Sequence, residues 1–102
     1  MLTLMWCGFE FAHIEKTVTV GRDDSCDVHI RRPNVSRRHC RIFRSADGKE
    51  FAITDLMSLN GTRVNGQALE EHQIVTLQDG DLIQVVSGVE FQVQIKEAVA
   101  HV

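Results

Sequence analysis

The sequence has one proline, only three cysteines and no long apolar run. The few cysteines and the lack of an apolar run argue against a disulfide-stabilised protein and against a membrane-spanning one. The spacing of Cys7, Cys26 and Cys40 matches no disulfide framework, which predicts a reducing compartment. No apolar run approaches the roughly 20 residues that a membrane span needs, so no membrane partner is expected. The apolar N-terminus lacks a charged n-region and a small-residue cleavage site, which argues against a signal peptide.

Acidic residues outnumber basic ones overall, 14 to 11, but positive charge is locally concentrated. The formal net charge of −3 and the pI near 5.9 argue against general affinity for nucleic acid. Residues 22–44 nevertheless carry seven arginines against three aspartates, a net charge of +4. Residues 65–102 carry one lysine against six acids, a net charge of −5. A basic segment in an acidic chain favours a local anionic ligand over a long polyanion.

Convincing helical periodicity is absent, and short alternating segments separated by turn residues predict an all-β fold. Residues 16–20 are rich in β-branched side chains and alternate between polar and apolar. In residues 89–95 every second residue is apolar, which places these side chains on one face of a strand. The Asn65-Gly66 pair is the strongest two-residue hairpin signal in the chain. Roughly ten such segments, with turns about every 8–12 residues, indicate a β-sandwich or a barrel.

The length of 102 residues suits one domain. We predict a single domain over residues 1–102, with a core at about 2–95 and a C-terminal tail or short helix at 96–102. Because the sequence stops soon after the last predicted strand, we expect it to be the N-terminal part of a longer protein.

The polar segment 33–40, Pro-Asn-Val-Ser-Arg-Arg-His-Cys, contains the only proline and leads into a predicted strand. A hydroxyl beside a guanidinium at the lip of a strand, as in Ser36 and Arg37, suits an oxyanion. Arg22 follows another predicted strand, and residues 58–62, Ser-Leu-Asn-Gly-Thr, form a second polar loop. We predict that these three segments form one phosphate-binding pocket.

A hydrolase triad of Ser36, His39 and Asp55 is the first alternative. Ser36 and His39 are too close in sequence for alignment to be presumed, and the chain lacks a Gly-x-Ser-x-Gly nucleophile elbow. We therefore predict a non-enzymatic protein without catalytic residues.

A zinc site is the second alternative. Adjacent residues that enter a strand point to opposite faces, so His39 and Cys40 would not converge on one ion. Buried reduced cysteines are the favoured interpretation, and we predict no metal and no cofactor. The residues considered for this site are Cys26, His29, His39 and Cys40.

Several short motifs occur in a fixed order: Gly21-Arg22, Ser36-x-x-His39, Asn60-Gly61-Thr62 and Val64-Asn65-Gly66. In type, order and spacing they resemble the forkhead-associated (FHA) domain, and the resemblance covers about residues 2–95. It implies a twisted β-sandwich of two mainly antiparallel sheets with about eleven short strands. It also implies a binding module without catalysis, whose apex loops bind a phosphothreonine peptide.

The resemblance also implies a role for each matched residue. Arg22 would contact the phosphate or brace the loop that does, Ser36 would bond a phosphate oxygen, and Arg37 would add a cationic contact. Asn60 would bond the peptide main chain on both sides of the phosphothreonine. His39 would hold two loops together, and Gly61 would take a backbone geometry barred to other residues. The supporting residues of the site would be Gly21, His39, Gly61, Thr62 and Asn65.

Two positions depart from the family pattern. Leu59 stands where many members have Ser or Thr, and Asn34 stands where some have a basic residue. We therefore expect fewer phosphate contacts and modest affinity. The expected partner is a phosphothreonine-containing protein in signalling, such as the DNA-damage or cell-cycle response, in the nucleus or otherwise the cytoplasm. The alternative is an FHA-type homodimer or scaffold with a weak or non-functional pocket, using apolar residues such as Trp6 in the hairpin 1–11.

Overall fold

The computed structural model describes residues 1–96, which form eleven strands in two sheets and contain no helix. The predicted all-β sandwich is therefore confirmed. Apart from Lys96, the predicted tail at 96–102 lies outside the described residues. Within residues 1–96, no helix is long and apolar enough to cross a membrane. The strands are β1 Leu2–Trp6, β2 Phe9–Ile14, β3 Val18–Gly21, β4 Val28–His29, β5 Cys40–Arg44, β6 Phe51–Asp55, β7 Arg63–Val64, β8 Gln67–Ala68, β9 Ile74–Leu77, β10 Leu82–Val86 and β11 Val89–Ile95.

The first sheet has the strand order β2-β1-β11-β10-β7-β8, and the second has the order β4-β3-β5-β6-β9. Neighbouring strands are antiparallel with one exception, the parallel pair of β3 and β4, in which Val20 lies opposite Val28. The loop between β3 and β4 spans residues 22–27. It leaves β3 at Gly21 and returns to the same sheet edge, which places Arg22 at the end of the second sheet.

The core lies between the two sheets, and strand alternation determines which side chains enter it. In β11, Phe91 and Val93 are buried while Glu90 and Gln92 are exposed. Strand β6 departs from this alternation because residues 51–54 are all buried, including the outward-facing Thr54. Its hydroxyl donates to the Gln73 carbonyl at 2.9 Å, which satisfies this buried group.

The predicted hairpin at Asn65-Gly66 is present between β7 and β8. Asn65 and Gly66 have φ values of 51° and 83°, the backbone of a type I′ turn. The Asn65 carboxamide also bridges to another turn, donating to Asp81 at 3.0 Å and accepting the Leu82 N–H at 2.9 Å. Asn65 therefore joins two turns of the first sheet.

Strand β2 is an edge strand with exposed aromatic side chains. Phe9 is 77% exposed and Phe11 is 41% exposed. Trp6 is half-buried, with its ring centroid 5.5 Å from that of Phe11 and 5.4 Å from that of Phe91. The Arg32 guanidinium lies 5.9 Å from the Trp6 ring centroid and links this cluster to the loop before β5.

Candidate functional site

Three loops meet at one end of the sandwich: 22–27 after β3, 30–39 before β5, and 56–62 after β6. The Arg22 N–H donates to the Ser36 carbonyl at 3.0 Å, and the Leu59 N–H donates to the Ser36 hydroxyl at 2.9 Å. The Asn60 side-chain amide donates to the Asn34 carbonyl at 2.8 Å. The structure thus brings together Arg22, Ser36 and Asn60, which are far apart in the sequence. We call this end of the molecule the loop apex.

The Arg22 side chain is exposed at the loop apex and held at one nitrogen. Its Nε donates to the Val35 carbonyl at 3.0 Å, and within residues 1–96 the two terminal nitrogens make no hydrogen bond. Every ion pair found within 4.0 Å among residues 1–96 involves a histidine, so no arginine of this region has a carboxylate partner. The guanidinium groups of the basic segment therefore retain their charge and donors for an external anion.

The charge at the loop apex also acts on a neighbouring carboxylate. Hydrogen bonds from the hydroxyl and the backbone N–H of Ser25, with a smaller effect of Arg37 and Arg38, hold the pKa of Asp23 below its ordinary value. The Asp23 N–H also donates to the Arg37 carbonyl at 3.1 Å. Exposed Arg37 and Arg38 therefore lie close to the same loop as Arg22.

Ser36 has its backbone groups and one hydroxyl lone pair occupied within the protein. Its N–H donates to His39 Nδ1 at 3.1 Å, its carbonyl accepts from Arg22, and its Oγ accepts from Leu59. Within residues 1–96, the hydroxyl proton has no hydrogen-bond acceptor. Ser36 Oγ–H is therefore fixed in position with its proton available to an oxyanion.

His39 is fully buried and joins two of the loops through its ring. Nδ1 accepts the Ser36 N–H, so the proton must reside on Nε2, which donates to the Gly61 carbonyl at 2.8 Å. The ring bonds the Ser36 backbone and not its hydroxyl, and Asp55 bonds other residues. This arrangement does not match the nucleophile, base and acid alignment of a hydrolase triad.

Asp55 organises the loop 56–62, a role that sequence analysis missed. Its carboxylate accepts the Ser58 N–H at 2.9 Å, the Ser58 hydroxyl at 2.6 Å and the hydroxyl of fully buried Thr62 at 2.7 Å. The Ser58 hydroxyl in turn accepts the Gly61 N–H at 2.9 Å. The detectable signal was an aspartate at the end of a strand with a serine three residues later, a turn-forming pair.

Two glycines permit the close approach of the loops. A Cβ atom on Gly21 would lie 2.1 Å from the Arg37 carbonyl oxygen, so only glycine fits between β3 and the loop before β5. Gly61 has a φ of 80°, in the left-handed region that L-residues rarely adopt. Gly61 also presents its carbonyl to His39.

The cysteines near the loop apex are free thiols. The Cys26 Sγ donates to the Arg37 carbonyl at 3.1 Å, and burial raises the pKa of Cys26. Burial, with the nearby Asp55 carboxylate, raises the pKa of Cys40 to about 12. Among residues 1–96, no three His, Cys, Asp or Glu side chains are grouped to hold a metal ion.

A groove with a cavity volume of about 320 Å³ begins at Asn60 and extends onto the first sheet. Its charged side chain is Arg63, which sequence analysis did not assign to the site. The lining residues are Asn34, Asn60, Gly61, Arg63, Gln84, Val85, Val86 and Ser87.

The two departures from the family pattern lie at the loop apex. Leu59 is 89% exposed, and its contribution to the loop apex is the backbone N–H that donates to Ser36. Asn34 is exposed and offers its carbonyl to Asn60. Neither position supplies a cation to the loop apex.

The family model for the FHA domain matches residues 18–86. One curated relative is the FHA domain-containing protein PS1 from Arabidopsis thaliana, 33% identical over 72 residues, which cover 71% of this chain and 5% of that protein. The chain spans 3–9% of the length of three curated relatives that it matches, the plant protein among them.

Two solved structures of similar proteins contain phosphopeptides. Mycobacterium tuberculosis EmbR in complex with a low-affinity phosphopeptide is 30% identical, has a TM-score of 0.79, and is matched over 98% of this chain and 25% of that chain. The N-terminal FHA domain of Saccharomyces cerevisiae Rad53p in complex with a phosphothreonine peptide is 33% identical. Its TM-score is 0.71, with 79% of this chain and 68% of that chain covered.

Proposed function

This chain belongs to the FHA domain family, and we propose that it binds phosphothreonine-containing proteins at the loop apex as a recognition module in signalling. The observation that carries the proposal is the Ser36 hydroxyl. It is held as an acceptor by the Leu59 N–H, its proton is available, and it lies beside Arg22, which has no carboxylate partner within residues 1–96. A phosphate dianion supplies the acceptor oxygens and the negative charge that this arrangement lacks.

Each exposed group of the loop apex has a role in this proposal. The two terminal nitrogens of Arg22 bind phosphate oxygens, Ser36 donates its hydroxyl proton to another, and Arg37 adds positive charge. A phosphothreonine-peptide complex of Rad53p and a phosphopeptide complex of EmbR, both similar in fold and sequence, support the proposal that this domain binds a phosphopeptide.

Asn60 is placed to bind the main chain of the peptide. One hydrogen of its side-chain amide is used by the Asn34 carbonyl, which fixes the orientation of the carboxamide. Asn60 is exposed, and within residues 1–96 its carbonyl oxygen and second amide hydrogen make no hydrogen bond, so together they suit a backbone N–H and a backbone C=O of an extended peptide. Asn60 thus supplies contacts that a phosphate ion alone cannot use.

Calorimetric titration with a phosphothreonine peptide and its unphosphorylated twin tests the proposal. The peptide is the strongest binder from an oriented phosphothreonine library. We expect a dissociation constant near 1 μM for the phosphorylated form, about −8 kcal/mol. We expect binding of the plain form to be at least about 100-fold weaker, because it lacks the charge-assisted bonds.

Ser36→Ala provides the matched control, because it removes the hydroxyl while leaving all arginines in place. We expect the affinity for the phosphorylated peptide to fall by about tenfold or more. Equal affinity of the protein for the two peptides would contradict phosphate recognition.

The second candidate function is self-association through the edge strand β2. The observation that favours it is the pair of exposed aromatic side chains, Phe9 and Phe11, on a strand with one unpaired edge. This candidate predicts a concentration-dependent dimer in analytical sedimentation, and loss of that dimer in Phe9→Asp. A monomer at all concentrations would exclude self-association and would leave the proposed phosphothreonine binding at the loop apex standing.

The cellular setting stays a prediction from the family resemblance. Similar proteins come from a plant, a yeast and a bacterium, so they do not favour a nuclear role or a DNA-damage or cell-cycle response. The role of the whole protein that contains this domain, as a signalling protein with phosphorylated partners, is likewise a proposal from the family resemblance.

A further inference from the structure

We propose that Arg63 selects an acidic residue at a position of the phosphopeptide that flanks the phosphothreonine. This inference rests on the proposed function and adds a preference of the ligand sequence to it. Arg63 lies on β7, immediately after the loop 56–62 that carries Asn60. Asn60 and Arg63 line the same groove, so a peptide bound by Asn60 can reach this guanidinium.

The groove carries positive charge without an acid to neutralise it. Its lining contains no aspartate or glutamate, and its other polar members are neutral. The Arg63 side chain is exposed and donates through Nη1 to the Gly66 carbonyl at 3.1 Å, which steadies the guanidinium. Within residues 1–96, no carboxylate lies within 4.0 Å of it. The remaining donors can therefore bind a carboxylate of the ligand.

The surroundings of Arg63 fit a side chain with an apolar stem and a charged end. Buried Val85 and Val86 line the groove together with the polar residues Gln84 and Ser87. In the first sheet, Gln84 pairs with Arg63 on one side and with Glu90 on the other. Glu90 is thus separated from Arg63 by a full strand, and it lines a different cleft.

The experiment uses phosphothreonine peptides in which each flanking position in turn carries Asp or its neutral isostere Asn. For the unmodified protein, we expect one position, or two adjacent positions, at which Asp is preferred by about three- to tenfold, the range for a partly exposed ion pair. The preference should shrink as salt is added. Arg63→Gln should abolish the Asp preference at that position, whatever its effect on the affinity for the Asn peptides, and Arg63→Lys should retain part of the preference.

Arg44→Gln is the matched control. It removes the same charge from an exposed arginine on β5 of the second sheet, at the end of that strand away from the loop apex. We expect it to keep the full Asp/Asn ratio.

Absence of any Asp preference in the unmodified protein, or a preference that survives Arg63→Gln, would overturn the assignment of Arg63 while phosphate-dependent binding remains. A parallel titration with unphosphorylated peptides separates this result from failure of the proposed function. If phosphorylated and plain peptides bind equally, both proposals fail together.

Discussion

Arg22→Ala is expected to weaken binding of a phosphothreonine peptide by about 30- to 150-fold, equal to about 2–3 kcal/mol, when measured by calorimetry. The substitution removes the two terminal nitrogens of Arg22 that we assign to the phosphate. It also removes the Nε bond to the Val35 carbonyl, which fixes the loop that carries Ser36. Because the side chain is exposed, the free energy of unfolding should fall by only about 0.5–1.5 kcal/mol.

Arg22→Lys is the conservative control for this prediction. Lysine keeps the positive charge but lacks the planar fork and the Nε donor, so it should recover only part of the affinity. Affinity that is unchanged in Arg22→Ala would show that the anion, if one binds, lies elsewhere.

Gly21→Ala is expected to destabilise the fold by about 2–4 kcal/mol, which corresponds to a fall in Tm of about 10–30 °C for a domain of this size. The added Cβ would lie 2.1 Å from the Arg37 carbonyl oxygen, a backbone atom that cannot move independently. That carbonyl also accepts the Asp23 N–H and the Cys26 thiol, so its displacement disturbs two loops of the apex. Thermal unfolding followed by circular dichroism measures the loss.

Gly48→Ala separates the steric clash from the general cost of replacing a glycine. Gly48 has a φ of 73° with no atom within 4 Å of a built Cβ, so alanine there should cost about 1 kcal/mol from backbone strain alone. The Gly21→Ala protein that remains folded should also bind the phosphopeptide more weakly, whereas Gly48→Ala should leave this affinity unchanged. Equal stabilities of the two variants would contradict the close approach of β3 and the loop before β5.

The sequence predicted the fold correctly where a short pattern of residues is compatible with a single local structure. Asn65-Gly66 predicted its hairpin because few residue pairs tolerate two positive φ values in succession. The alternation in β11 predicted which of its side chains are buried. The parallel pairing of β3 with β4 had no such signal, because it depends on contacts between segments rather than on either segment alone.

The same distinction applies to the site. Arg22, Ser36 and Asn60 could be proposed because their chemistry and order match a known family. Asp55 and Arg63 could not be assigned, since their roles depend on position in three dimensions. Asp55 gains its three hydrogen bonds only when the chain folds back after β6, and Arg63 joins the groove because β7 pairs with β10.

The most direct test of the central claim is a heteronuclear NMR titration of the protein with a phosphothreonine peptide. We expect the largest shifts in the backbone amides of loops 22–27, 30–39 and 56–62 and in the Asn60 side-chain amide. The unphosphorylated peptide should leave these signals in place. Largest shifts in β2, or equal shifts with both peptides, would contradict the assignment of the loop apex as a phosphothreonine site.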